Sequence, residues 1–152
     1  MSKPTITVSI IGHNEATDLE RCFHSIDWAD EIIYVDCESE DNSIEIAKKF
    51  TDKVFERKND LNLNVNKNFG FSKANSDWIL YVDPDEEIPK EMSDWILKEM
   101  ENPEQAFPRL LSLEAILKNV HCIFFPSKNI HLPNRCNPFL QEYKCRWFPN
   151  LV

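Results

Sequence analysis

The sequence predicts an α/β domain, a mostly parallel sheet with helices on both faces. Three observations lead there. Short apolar runs rich in β-branched residues alternate with helical patterns through roughly the first hundred residues, in the order β-α-β-α-β-α-β-α. The strand runs are almost continuously apolar, as strands covered on both faces are. Three of them open directly into polar residues: "HNE" (His13–Glu15), "DCES" (Asp36–Ser39) and "DPDEE" (Asp83–Glu87). In open α/β sheets ligands bind beyond the carboxyl ends of the strands, so these three loops outline one candidate site.

Each element has its own signal. "TITVSIIG" (Thr5–Gly12) is the first strand. Ala16, Leu19, Phe23 and Ile26 then form a helical stripe with Cys22 beside it, and Asn14 is a candidate N-cap. "EIIYVDC" (Glu31–Cys37) is the second strand. Ser39–Phe50 predicts a helix with Ile44, Ala47 and Phe50 inward and Ser39 or Asp41 as cap. "KVFE" (Lys53–Glu56) is a short third strand, and a helix follows from Asn64 or Val65 to Ala74 despite Gly70. Asp77–Asp83 is the fourth strand. Pro89 opens a last clear helix with Met92, Trp95, Ile96 and Met100 on one face. Beyond that the pattern weakens: Leu110–Asn119 reads as a helix, and Val120–Pro126 and Phe139–Phe148 as strands.

Bulk properties narrow the function. The 152 residues fit one domain, with 42% hydrophobic and 28% charged residues. No window holds the 18 or so apolar residues of a spanning helix, and the N-terminal apolar run reads as a strand rather than an export signal, so the expected location is the cytoplasm. The net charge of −9 argues against a nucleic-acid groove. Residues 1–102 carry 11 basic and 23 acidic side chains, residues 103–152 carry 6 and 3. The mildly basic last third permits contact with a membrane surface. Five cysteines, none spaced C-x-x-C, read as buried thiols, and His121, Cys122, His131, Cys136 and Cys145 match no tight zinc knuckle.

Asp83 and Asp85 are the strongest chemical signal. Two carboxylates spaced D-x-D at a strand end share either a proton or a cation. Oxygen ligands suit Mg²⁺ or Mn²⁺, whose shell diphosphate oxygens commonly complete. The rival reading is a solvated acidic turn, with Glu86 and Glu87 favouring the N-terminus of the helix that follows. Asp36 reads as a hydrogen-bond acceptor for a ring N–H or a ribose hydroxyl, or as a turn residue. Asn14 and Glu15 read also as a cap and a first-turn acid. Lys67 suits a phosphate or plain solvent, and His13 a base or a strand-end polar group. Gly12 and Gly70 are the only glycines, so neither a dinucleotide fingerprint nor a P-loop exists, and no G-x-S-x-G elbow is present.

"TVSIIGHNEATDLERCFHSIDWADEIIYVDCESEDNSIEIAKKF" followed by "NVNKNFGFSKANSDWILYVDPDEEIP" resembles the family-2 glycosyltransferases, within them the branch like the lipopolysaccharide core glucosyltransferases. The resemblance spans about residues 5–90 and implies a GT-A fold, a UDP-sugar or other nucleotide-sugar donor, and a divalent ion, Mg²⁺ or Mn²⁺. It implies that Gly12, Asn14 and Glu15 lie beside the nucleoside and that Asp36 meets base or ribose. Lys67 and Asn68 would line the donor pocket, Asp83 would face ribose or metal, and Asp85 would bind the metal. The implied chemistry is inverting transfer to a glycan or lipid-linked acceptor in cell-envelope polysaccharide synthesis. Glu38 departs from the pattern, standing where a glycine is common. Residues 1–102 are then the nucleotide-sugar-binding half and 103–152 an incomplete acceptor-side region of the same domain. No catalytic base is identifiable. The resemblance leaves open a base within 103–152 or a donor-binding piece without turnover. A haloacid-dehalogenase-like phosphatase ranks below both, because its D-x-D follows the first strand.

Overall fold

The computed structural model describes residues 3–101 and the strand Ile123–Pro126. Its elements are β1 (Ile6–Gly12), α1 (Leu19–Ser25), β2 (Glu31–Cys37), α2 (Ser43–Ala47), β3 (Val54–Arg57), α3 (Leu63–Lys73), β4 (Trp78–Val82), α4 (Lys90–Met100) and β5 (Ile123–Pro126). They form one sheet in the order β3-β2-β1-β4-β5. The first four strands pair in parallel and β5 pairs antiparallel to β4. The mostly parallel sheet expected from the sequence is therefore the sheet observed.

All seven β1 residues are buried, which is why its pattern is continuous rather than alternating. One face of the sheet carries Ile6, Val8, Ile10, Tyr34, Trp78, Leu80 and Val82 against α1, α2 and α4. The stripe Leu19, Cys22, Phe23 and Ile26 is fully buried there, as are nearly all of Met92, Ile96 and Met100 of α4. Each such aliphatic side chain contributes about 1.5–3 kcal/mol relative to exposure. The other face carries Ile11, Ile33, Val35, Cys37, Ile79 and Tyr81 against α3.

α3 has almost no apolar stripe, and Leu63 and Val65 stay exposed. It docks by close approach instead. A Cβ on Gly70 would lie 2.6 Å from Ser9 Oγ and 3.3 Å from Val35 Cγ2. The glycine that weakens the helix locally is what lets it lie flat on β1 and β2.

Two expected caps are corrected. α1 starts at Leu19 after Asp18, so Asn14 is not its N-cap. Asn14 sits in the left-handed region (φ 58°), a conformation asparagine tolerates better than most residues. Ser39 does not cap α2 either: its Oγ accepts the Asn14 N–H at 2.9 Å. α2 is also shorter than predicted, with Phe50 beyond its end and stacked on Phe23 at 4.8 Å. The predicted helix Leu110–Asn119, the predicted strand Phe139–Phe148 and the residues His121, Cys122, His131, Cys136 and Cys145 lie outside the described residues.

Candidate functional site

β1 and β4 are neighbours although chain order runs outward from β1 to β2 and β3, so the order reverses between them. Such a reversal opens a crevice at the carboxyl ends of the strands. The loops after β1, β2 and β4 meet around it.

The β1 and β2 loops are laced together. Asn14 Oδ1 accepts the Glu40 N–H at 2.7 Å, and His13 Nδ1 lies 2.7 Å from the Cys37 carbonyl. The Glu15 N–H donates to Ser43 Oγ, and the Ala16 N–H to Asp41 Oδ2 at 3.0 Å. Asp41 also accepts from Ser43. Burial opposes ionisation of Asp41, but the bonds from Ser43 and Ala16 outweigh it and hold its carboxyl below the usual range. The side chains of Asn14 and Asp41 thus accept backbone N–H groups and shape the loop pair.

Asp36 is 1% exposed at the end of β2. Its Oδ2 accepts the Ser39 N–H at 2.9 Å and its Oδ1 faces the Tyr34 hydroxyl at 3.4 Å. A carboxylate offers about four acceptor directions, so capacity for a ligand donor remains. Gly12 pairs with Asp36 in register. A Cβ there would meet Tyr34 Oη at 2.6 Å and Glu15 Cγ at 2.9 Å, so Gly12 makes room for neighbouring side chains. Glu38 adopts φ 58°, and its Oε2 accepts the Asn59 N–H at 3.0 Å. The departure from glycine noted in the sequence therefore sits where a glycine would be unstrained.

The β4 loop holds the carboxylate pair. Tyr81 Oη donates to Asp83 Oδ1 at 2.5 Å, and the Asp83 N–H donates to Glu86 Oε2 at 3.4 Å. From α1, Cys22 Sγ lies 3.8 Å from the Asp83 carbonyl, Ser25 Oγ accepts the Ile88 N–H, and Arg21 pairs with Glu87 at 2.9 Å. Burial, then the charges of Glu86, Asp85, Asp83 and Glu87, push the Cys22 thiol up to about 12, so it stays protonated under its acidic loop. Burial, then the charges of Asp85, Asp18 and Asp41, raise the Glu15 carboxyl. That response ties the β1 loop to Asp85 electrostatically.

Asp85 is exposed, and no described residue hydrogen-bonds its carboxylate. Among the described residues no three His, Cys, Asp or Glu side chains form a preformed cage. Two oxygen donors with open positions fit a hard divalent ion that takes its remaining ligands from water and phosphate. Lys67 comes from the α3 side, its Nζ 4.0 Å above the Tyr81 ring. Asn68 Oδ1 is buried with no hydrogen-bond partner among the described residues.

A family model described as glycosyl transferase family 2 matches residues 7–110, more than half of the chain. The chain belongs to this family. An uncharacterized glycosyltransferase of Rickettsia bellii is 41% identical over 92 residues, covering 60% of this chain and 31% of the relative. The glycosyltransferase SunS of Bacillus subtilis is 37% identical over 100 residues, 62% of this chain and 23% of the relative. The family-2 chain thus spans about a third or less of these curated relatives. Among solved structures, residues 1–349 of Staphylococcus aureus TarS align with a TM-score of 0.58 at 21% identity, covering 64% of this chain and 32% of that one. The Pyrobaculum calidifontis mannosyltransferase PcManGT, in complex with GDP-Man and Mn²⁺, aligns at 0.56 and 19%, covering 65% and 32%. These likenesses bear out the GT-A fold.

Sequence reading missed the residues that brace these loops of the family-2 chain. Tyr34, Tyr81, Ser43 and Arg21 looked like strand or helix members. The one available signal was the tripeptide Tyr-Val-Asp, present at the ends of both β2 and β4.

Proposed function

We propose that this chain carries the donor site of a metal-dependent, inverting glycosyltransferase that uses a nucleotide-diphosphate sugar. The observation that supports the reading is the carboxylate pair: Asp83 and Asp85 follow β4, which borders the β1/β4 reversal of strand order, and Lys67 lies over the ring of the Tyr81 that donates to Asp83. In this reading Asp85 and Asp83 hold Mg²⁺ or Mn²⁺. Asp36 accepts from base or ribose, Gly12, Asn14 and Glu15 form the nucleoside wall, and Lys67 and Asn68 line the donor pocket. A bound divalent ion supplies neutralisation of the charge that develops on the departing diphosphate. The protein orients the donor so that an acceptor hydroxyl, deprotonated by a base, reaches the anomeric carbon from the opposite side.

Residues 1–102 form the donor half in this proposal, and 103–152 belong to the acceptor side. The acceptor class is a glycan or lipid-linked saccharide, by resemblance to the lipopolysaccharide core branch, at the cytoplasmic face of a membrane. Among the described residues no helix is long and apolar enough to cross a membrane.

The test is thermal denaturation with UDP, GDP and their sugars, with and without MnCl₂ or MgCl₂. A nucleotide should raise the Tm only when metal is present, and Asp85→Ala should abolish the rise. A metal-independent rise, or none across the panel, sinks the reading.

A further inference from the structure

We propose that Tyr81 is the positioning residue of the carboxylate pair, fixing Asp83 so that one of its oxygens faces a divalent ion. This inference rests on the metal-dependent donor site proposed above. Tyr81 and Asp83 are two apart at the end of β4, so their side chains leave the same face of the sheet. The phenol donates to Asp83 Oδ1 at 2.5 Å, while Oδ2 takes no hydrogen bond from a described residue. One oxygen is held and the other is left for a ligand.

A residue that positions another must itself be held. Tyr81 is 3% exposed. Phe71 packs edge-on against its ring with centroids 6.1 Å apart, and the Lys67 ammonium lies 4.0 Å above it. Lys67 and Phe71 are one helical turn apart on α3, so a single helix face clamps the ring. The aim of the hydroxyl is thereby set by the packing of α3 against the sheet. The same tripeptide ends β2, where Tyr34 Oη is 3.4 Å from Asp36 Oδ1. There the second carboxylate oxygen is already taken by the Ser39 N–H. The two Tyr-Val-Asp ends thus differ in what they leave open: Asp36 is engaged at both oxygens and Asp83 at one.

The experiment is calorimetric titration of UDP into the chain across a series of MnCl₂ concentrations, for wild type, Tyr81→Phe and Thr7→Val. Tyr81→Phe keeps the ring and the Lys67 contact and loses only the hydroxyl. Thr7→Val loses a hydroxyl that donates to Glu31 at the opposite end of the sheet and controls for lost stability. Tyr81→Phe should raise the half-saturating Mn²⁺ concentration about tenfold or more, the usual effect of removing a partner behind a metal ligand. Its UDP affinity at saturating Mn²⁺ should match wild type, and Thr7→Val should leave the Mn²⁺ midpoint in place. An unchanged midpoint in folded Tyr81→Phe overturns the proposal. So does an equal shift in Thr7→Val, or a loss of UDP affinity that saturating Mn²⁺ does not restore. A wild-type chain whose UDP binding ignores Mn²⁺ overturns the donor-site reading as well.

Discussion

Gly12→Ala tests whether the end of β1 is as crowded as its geometry implies. The added Cβ would lie 2.6 Å from Tyr34 Oη, where ordinary contact begins at 3.4 Å. The phenol must therefore retreat by about 0.8 Å, the difference between those two distances. Tyr34 is fully buried and packs edge-on against Phe23 at 6.1 Å, so it has nowhere easy to go. Overpacking of this kind costs about 1–3 kcal/mol. Loss of glycine's freedom in the unfolded chain returns about 0.4–1 kcal/mol. The expected net is a loss of about 1–2 kcal/mol, which for a chain of this size lowers the Tm by roughly 2–8 °C. Tyr34→Phe alone gives up one long hydrogen bond to Asp36, about 0.5–1 kcal/mol. In the double variant the hydroxyl is gone and the nearest remaining contact is Glu15 Cγ at 2.9 Å, on a half-buried, flexible side chain. The double variant should then be about 1 kcal/mol more stable than the sum of the singles predicts. Urea denaturation of the four proteins measures the cycle. Strict additivity, or a neutral Gly12→Ala, would refute the claim that the Tyr34 hydroxyl is why residue 12 is a glycine.

Other expectations follow from the same geometry. Glu38 holds φ 58°, so Glu38→Val should be about 1–2 kcal/mol less stable than Glu38→Gly in urea, because a β-branched residue is worst placed in the left-handed region. Burial opposes ionisation of Glu31, but hydrogen bonds from Lys53, Thr7 and Asn75 outweigh it and lower its pKa from 4.5. A depressed carboxyl stabilises the fold above its unfolded pKa and loses that contribution as pH falls through the folded value. Glu31→Gln should therefore lower the Tm at pH 7, and the gap to wild type should close on acidification below about pH 4.5. A gap that does not narrow at all on acidification below about pH 4.5 would contradict this. Ile96→Ala should cost about 2–5 kcal/mol by circular-dichroism melting, because Ile96 is fully buried in the α4 face of the core.

What the sequence disclosed and what it hid divide along a physical line. β1, β2 and β4 were legible because a strand buried on both faces must be apolar at every position. α4 was legible because Met92, Ile96 and Met100 mark one face at helical spacing. The polar ends of those strands followed, and with them Asp36, Asp83 and Asp85. α3 was harder to bound: its docking surface combines Gly70, the buried Phe71 and the buried amide of Asn66, which bonds Cys37 and Lys58, rather than a regular apolar stripe. Asn14 was misplaced for a related reason. Asparagine before a helical pattern is a good cap in isolation, but an amide that can also take a left-handed conformation and accept the N–H of Glu40 has a second use. Which use wins depends on the loop after β2, twenty-odd residues away and invisible to local pattern. The tyrosines show the limit most sharply. In a strand, a tyrosine two residues before an aspartate shares its face automatically. Whether its hydroxyl then braces that aspartate depends on what clamps the ring. For Tyr81 the clamp is Lys67 and Phe71 of a helix whose own placement rests on a glycine against Ser9. The bracing of Asp83 is thus a tertiary consequence of Gly70, and substitution at Gly70 should disturb Mn²⁺-dependent nucleotide binding as well as stability, although Gly70 touches neither carboxylate.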